Sequence, residues 1–146
     1  MSACDPTSEG HDRGWTMASA TDELTVIDLP QFREPRGVLV PVEFSEFVPF
    51  EVRRMFWITD VPEGEVRGGH AHKQCHQFAI CIAGRGVIEA YDRRARRRIE
   101  LVMGQALHIR PGIFTTQRFL APGTILSVLC NRPYEPSDYL YEIDHG

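Results

Sequence analysis

From Leu24 onward, apolar and β-branched residues come in short runs cut by glycine, proline and acidic residues, with no sustained helical period. The runs are Thr25 to Leu29, Val38 to Phe44, Val52 to Thr59, Gln74 to Ile82, Gly86 to Tyr91, Arg97 to Val102, Ala106 to Ile109, Thr115 to Phe119 and Thr124 to Leu129. Gly84, Asp92, Gly104, Pro111-Gly112 and Pro122-Gly123 separate many of them, as turns separate strands. About nine short strands and almost no helical stretch predict an all-β fold, a sandwich or barrel. Only Pro136 to Ile143 fits a short helix. Residues 1 to 22 are small and polar without periodicity, which predicts a disordered leader before a single domain over residues 23 to 146.

Composition narrows the class of function. A chain of 146 residues, 42% of them hydrophobic, suffices for one domain with its own core and is too short for two ordinary ones. The formal net charge of −4 argues against a nucleic-acid or acidic-membrane binder, whose affinity would come from a positive surface. Arg93-Arg94-Ala95-Arg96-Arg97-Arg98 is the exception, and its place between two strand-like runs makes it an exposed hairpin turn. No apolar run approaches the roughly 18 residues that span a bilayer, and the N-terminus lacks a signal-peptide core, so a cytoplasmic protein is expected. Cys4, Cys75, Cys81 and Cys130 have no CxxC spacing, which fits free thiols, the last three acting as small buried hydrophobes.

The candidate chemistry lies in Arg67-Gly68-Gly69-His70-Ala71-His72-Lys73. Residues two apart in a strand point to the same face, so His70 and His72 aim together into whatever that face encloses. The spacing of Gly64, His70, His72, Gln77 and Gly84 resembles the first metal-binding motif of cupins, which are double-sheet jelly rolls. That motif carries Glu where this chain has Gln77, and the later Pro111-Gly112-Ile113-Phe114 leads to Thr115 where a third His is expected. Two imidazoles alone leave most of a zinc or iron shell unfilled, so no metal is expected; His76 is the one residue that could complete a site. Without a metal, paired histidines suit proton transfer, because imidazole titrates near neutrality.

A more specific resemblance rests on Glu34-Pro35-Arg36-Gly37-Val38-Leu39-Val40, Val48 to Arg54, Arg67 to Lys73 and Ser137-Asp138-Tyr139. Together these resemble the dTDP-4-oxo-6-deoxyglucose 3,4-ketoisomerases, WxcM-like, RmlC-type cupins. The resemblance implies a homodimeric double-stranded β-helix, or jelly roll, that binds a dTDP-linked keto-deoxysugar without metal or organic cofactor and moves a carbonyl from C4 to C3. It implies His70 as the base facing the sugar and His72 as its acid or orienting partner. A diphosphate needs cationic donors, and arginine grips one bidentately. Arg67 and Arg54 are the candidates, with Arg36 nearer the sugar and Gln77 and Lys73 as further substrate contacts. Two departures stand out: Phe114-Thr115 replaces an aromatic-His pair, and Phe56-Trp57 lies where a Tyr is usual. The competing readings are a noncatalytic nucleotide-sugar binder on the same fold and a metal-dependent cupin.

Overall fold

A computed structural model describes residues 19 to 142. It contains twelve strands: β1 Ile27–Asp28, β2 Phe32–Glu34, β3 Gly37–Leu39, β4 Arg54–Ile58, β5 Val66–His72, β6 Gln77–Ala83, β7 Arg85–Tyr91, β8 Arg96–Val102, β9 Gln105–Ile109, β10 Phe114–Phe119, β11 Ile125–Cys130 and β12 Tyr139–Leu140. One helical turn, α1 Phe44–Phe47, and 3-10 turns at Ala20–Glu23 and Pro136–Asp138 complete it. The strands form two five-stranded sheets, β1-β9-β6-β11-β4 and β12-β5-β10-β7-β8, with β2 and β3 as a separate hairpin, and every pairing is antiparallel. This is the expected single-domain jelly roll. No helix among the described residues is long and apolar enough to cross a membrane.

The run Phe78 to Ile82 does not alternate in polarity because β6 is central and covered on both faces. Ala79 and Cys81 join the main core between the sheets, with Ile88, Leu101, Leu107, Leu126 and Val128. Phe78 and Ile80 point the other way, into a second layer with Leu29, Ala106 and Leu129, roofed by Val40, Val42, Phe47, Phe50 and Val52. The segment of residues 40 to 52 therefore serves as a lid on the outer face, and the strand expected over Val38 to Phe44 ends at Leu39. The turn from β6 to β7 has one obligatory residue. Gly84 sits at φ +79°, where a Cβ would come 2.6 Å from the Thr124 Cα, closer than any side chain tolerates.

Three local expectations change. The described part of the leader, residues 19 to 22, is folded: Ser19 caps the first 3-10 turn and Thr21 is wholly buried. The Asp92 carboxylate accepts from the Ser19 hydroxyl and the Thr21 N–H, and the Arg97 guanidinium donates to the Thr21 and Leu24 carbonyls. Burial opposes ionisation of Asp92, yet these bonds and the N–H groups of Arg94 and Ala95 hold it down to about 2. Residues 1 to 18 lie outside the described residues. The arginine run does form the β7–β8 turn, though Arg97 is spent on this clasp and Arg96 stacks on Tyr91. The stretch expected as a helix from Pro136 makes only a single 3-10 turn before β12 pairs with β5; Ile143 lies outside the described residues.

His76 turns away from His70 and His72. Its Nδ1 lies 3.0 Å from Nε2 of His108, with the rings stacked and Phe50 tilted against both. It therefore cannot complete a metal site with the other pair. Burial disfavours the imidazolium of both, and Arg110 adds repulsion; His108, which also faces His76, is pushed down to about 4. A histidine whose folded value lies below its unfolded one binds fewer protons when folded between the two, so stability is lost as pH falls through that window. The melting temperature is expected to drop between about pH 6.5 and pH 4. The slope should be shallower in His108→Gln than in wild type, measured by thermal melts at matched ionic strength; parallel slopes would count against the pair.

Candidate active site

The site begins with two glycines in β5. Gly68 and Gly69 have φ of +86° and +83°, and β10 shifts register between Thr115 and Thr116 opposite them. A Cβ on Gly68 would sit 2.9 Å from the Thr115 carbonyl oxygen and 3.0 Å from Gln117 Oε1, so only glycine permits this approach. Past the bulge, His70 pairs with Thr115 and faces a cavity of about 160 Å³ between the sheets. Arg67, Gln77, Gln117 and Tyr139 supply its remaining polar lining, with Phe56, Ile109 and Val128 among the apolar walls. A larger cleft of about 300 Å³ at Val61, Glu63 and Phe119 to Pro122 holds no histidine and no arginine.

His72 stands behind His70, its ring perpendicular and 5.1 Å away between centroids. It is only 5% exposed, and its Nδ1 lies 2.9 Å from Oδ2 of Asp138, which is itself buried. The same carboxylate accepts from the N–H of Gln74 at 2.8 Å and of Cys75 at 3.3 Å. Burial would raise Asp138, but these donors, His72 foremost, hold it below the usual carboxylate range. An ionised acceptor at Nδ1 fixes the proton there and leaves Nε2 as a lone pair, and that buried atom has no hydrogen-bond partner. Burial lowers the pKa of both imidazoles; Asp138 works upward on His72, and the backbone of Gly68 upward on His70. Both rings are therefore held toward the neutral form that accepts a proton.

Tyr139 covers the pair. Its ring centroid is 4.6 Å from each imidazole, and the β12 register sets it directly opposite His72. Its phenol is raised by burial against the opposing pull of a hydrogen bond with Arg54. Arg54 is not a cavity-lining residue: its guanidinium lies 3.6 Å from the Cys130 sulfur and over the rings of Phe56 and Tyr134. Of the residues expected at the site, the fold brings His70, Arg67 and Gln77 to the cavity and places His72 and Arg54 just behind it. Arg36 and Lys73 are not brought there. Arg36 sits on the β2–β3 hairpin, exposed and paired with Glu34 at 2.9 Å, and Lys73 is exposed beyond the end of β5. Gln117 is a polar residue that sequence reasoning missed, and Asp138, noted there only within the Ser137-Asp138-Tyr139 run, was not seen as the partner of His72. Asp138 lies 66 residues from its partner, so no local spacing signals it.

The positions that hold metal in cupins here offer His70, His72, the amide of Gln77 and the hydroxyl of Thr115, a poor donor set for a divalent cation. One other group of donors lies within 4.8 Å among the described residues, His72, Cys75 and Asp138, and hydrogen bonds already account for its carboxylate.

The chain and its fold are similar to those of known proteins. Residues 22 to 145 match the family model described as FdtA, WxcM-like, C-terminal. The chain is 27% identical over 124 residues to the TDP-4-oxo-6-deoxy-alpha-D-glucose-3,4-oxoisomerase of Aneurinibacillus thermoaerophilus, spanning 84% of this chain and 89% of that one. Among solved structures it is similar to QdtA, a sugar 3,4-ketoisomerase from Thermoanaerobacterium thermosaccharolyticum in complex with TDP. The TM-score is 0.78 at 30% identity, over 83% of this chain and 89% of that one. The WlaRB TDP-quinovose 3,4-ketoisomerase of Campylobacter jejuni superposes with a TM-score of 0.75 at 28% identity, over 82% and 93%.

The electrostatics of the buried pair give a direct test. Because the Asp138 carboxylate raises the His72 pKa against burial, Asp138→Asn should move the His72 titration to lower pH, followed by NMR of the imidazole protons. An unchanged or higher value would show that the carboxylate does not govern that ring.

Proposed function

The chain belongs to the WxcM-like FdtA family, and from that premise we propose that it is a sugar-nucleotide isomerase converting a dTDP-4-keto-6-deoxyhexose to its 3-keto isomer. The observation that carries this reading is the His70 imidazole on the cavity wall, backed by the His72–Asp138 pair under Tyr139. The reaction moves hydrogen from C3 to C4 and from O3 to O4, so a base for carbon and a partner for oxygen suffice, passing through an enediol(ate). His70 takes the C3 proton, and His72 is the second imidazole of the exchange. The amides of Gln77 and Gln117 and the phenol of Tyr139 are the donors available to the developing oxyanion, in a site largely shielded from water.

A cavity of about 160 Å³ is smaller than the roughly 300 Å³ at which whole-ligand pockets begin, so it takes the sugar while the diphosphate stays on the rim. Arg67, exposed and lining that rim, is the cation placed to grip it; Arg54 orients Tyr139. Arg36 and Lys73 have no part in the cavity formed by one chain.

One observation favours a second assignment of roles. The Asp138-bound Nδ1 leaves His72 Nε2 as a partnerless lone pair, the arrangement of an oriented general base. Deuterium wash-in at the sugar C3 separates the two. His70→Asn should slow it by on the order of 10² to 10⁴ while dTDP affinity persists. Loss only in His72→Asn would reverse the roles, and full exchange in both variants would overturn the histidine assignment. Binding of dTDP with no exchange in the wild-type protein would overturn the isomerase reading in favour of a noncatalytic binder.

A homodimer is part of the proposal. β4 is a sheet edge, and its outward residues Met55 and Trp57 are exposed, Trp57 at 62%; the β2–β3 hairpin exposes Phe32, Val38 and, at 66%, Leu39. Apolar residues on an open edge strand are unusual unless something covers them, and a second copy is the occupant the reading names. Sedimentation of the 16.6 kDa chain should give twice that mass, and Trp57→Glu should shift it toward monomer. A wild-type monomer at micromolar concentration would count against it.

A further inference from the structure

Two thiols behind the cavity wall take no part in the proton transfer, yet they touch what controls it. Cys130 ends β11 opposite Gln77 of β6, and both it and Cys75 are buried. Beyond the strand ends the two segments stay clipped together: the Asn131 N–H donates to the His76 carbonyl, and the His76 N–H donates to Asn131 Oδ1 at 2.9 Å. This sets Cys75 beside Cys130, close enough for the two side chains to act on each other's ionisation, while the Cys75 thiol itself donates to the His76 carbonyl at 3.3 Å. Arg54 donates to the Cys130 sulfur at 3.6 Å, and the Cys75 N–H donates to Asp138 Oδ2.

We propose that Cys75 and Cys130 are a redox pair which a peroxide closes to a disulfide, and that closure disables the adjacent His72–Asp138 site. Strand ends held side by side supply the short separation a disulfide requires. Cys130 is the nucleophile: the neighbouring Cys75 side chain and the Arg54 cation 3.6 Å from its sulfur favour its thiolate against burial, whereas Cys75 is held protonated. Cys130 itself is fully buried, and Gln77 and Val128, its neighbours across and along the sheet, line the cavity, the side from which a small oxidant has to reach it.

The Cys130 thiolate attacks one peroxide oxygen, the O–O bond breaks, and hydroxide leaves and is protonated to water. The Cys75 sulfur then attacks the sulfenic sulfur; the S–S bond forms, the S–O bond breaks, and a second water carries off the Cys75 proton. Two thiols lose two electrons and the peroxide gains them. The disulfide costs Arg54 its sulfur acceptor, and with it the support of Tyr139. It also draws on the Gln74-Cys75 turn whose N–H groups hold the Asp138 carboxylate. A displacement of about 1 Å in such a site can cost on the order of 10²-fold in rate.

The loss of isomerisation rests on the function proposed above; the disulfide does not. The reduced full-length protein is treated with hydrogen peroxide, alkylated, digested and mapped, and C3 deuterium exchange is followed in parallel. The expected result is a peptide pair linking Cys75 to Cys130, exchange slowed about 10²-fold, and recovery with dithiothreitol. That recovery separates the disulfide from methionine oxidation, which the thiol does not readily reverse. Cys75→Ser, compared with its own untreated rate, should show no peroxide-induced, dithiothreitol-reversible loss of exchange; if it does not fold, the wild-type map decides. Thiols that stay alkylatable under peroxide, or a bridge to Cys4 or Cys81 instead, would overturn the pair. A mapped Cys75–Cys130 bridge with undiminished exchange would overturn the coupling. If untreated protein shows no exchange, the isomerase reading fails, and the His72 titration with and without the bridge reports the coupling, an unmoved value overturning it.

Discussion

The hydrogen bond between His72 and Asp138, sealed from water on both sides, is the constraint on which the rest of the site depends. Neither group can be buried alone: an unpaired carboxylate in that position would be protonated or would unfold its surroundings, and an imidazole without a partner would turn outward. Their pairing brings the chain after the last long strand back across the barrel. It lays β12 against β5 and sets Tyr139 over both imidazoles. The Gln74 and Cys75 N–H groups complete the cradle, so the turn after β5, the strand itself and the C-terminal segment are fixed by one carboxylate. A structural bond of this kind also defines a tautomer, which joins folding to chemistry.

The rest of the architecture was largely legible in the sequence, because jelly-roll strands announce themselves by short apolar runs between glycine and proline turns. β6, β7, β8, β9, β10 and β11 lie within a few residues of their expected places. The failures have a common cause. Residues 40 to 52, Ser19 to Leu24 and Tyr139 to Leu140 carry little periodicity of their own. They are ordered by docking onto surfaces built elsewhere: the outer face of β6 and β9, the β7–β8 turn, and β5. Propensity is silent about such segments, since tertiary contact supplies their stability.

The candidate site divides in the same way. His70 and Gln77 could be placed from strand parity and motif spacing, and both line the cavity. His76 could not, because the end of β5 and the start of β6 are joined by a turn that reverses its face and gives it to His108 on the outer surface of the sheet. Arg54 was chosen for charge and proves to be a neighbour of Tyr139 and Cys130. An arginine on a strand is informative only once the residues opposite it are known. Asp138 stood out in sequence only as part of the Ser137-Asp138-Tyr139 run; its pairing with His72 did not, because the two are 66 residues apart.

What replaces the expected metal ligands explains the electrostatic character that remains. With an amide at Gln77 and a hydroxyl at Thr115, the cavity lining carries no carboxylate facing His70, so only the Gly68 backbone works against the burial and the neighbouring ring that hold that imidazole toward its neutral form. A carboxylate at either position would pull it toward the cation and spoil it as a base. The phenol that the sequence lacks at Phe56-Trp57 is supplied from another element: Trp57 faces outward, Phe56 is cavity wall, and Tyr139 comes in over the imidazoles from β12. Among the described residues, the carboxylate bonded to the pair is Asp138, and it is kept behind His72, where it orients one ring without charging the cavity. On the proposed reading, that separation divides the work between the imidazoles: His70 meets the sugar as a neutral ring, while His72 holds the tautomer and the counter-charge.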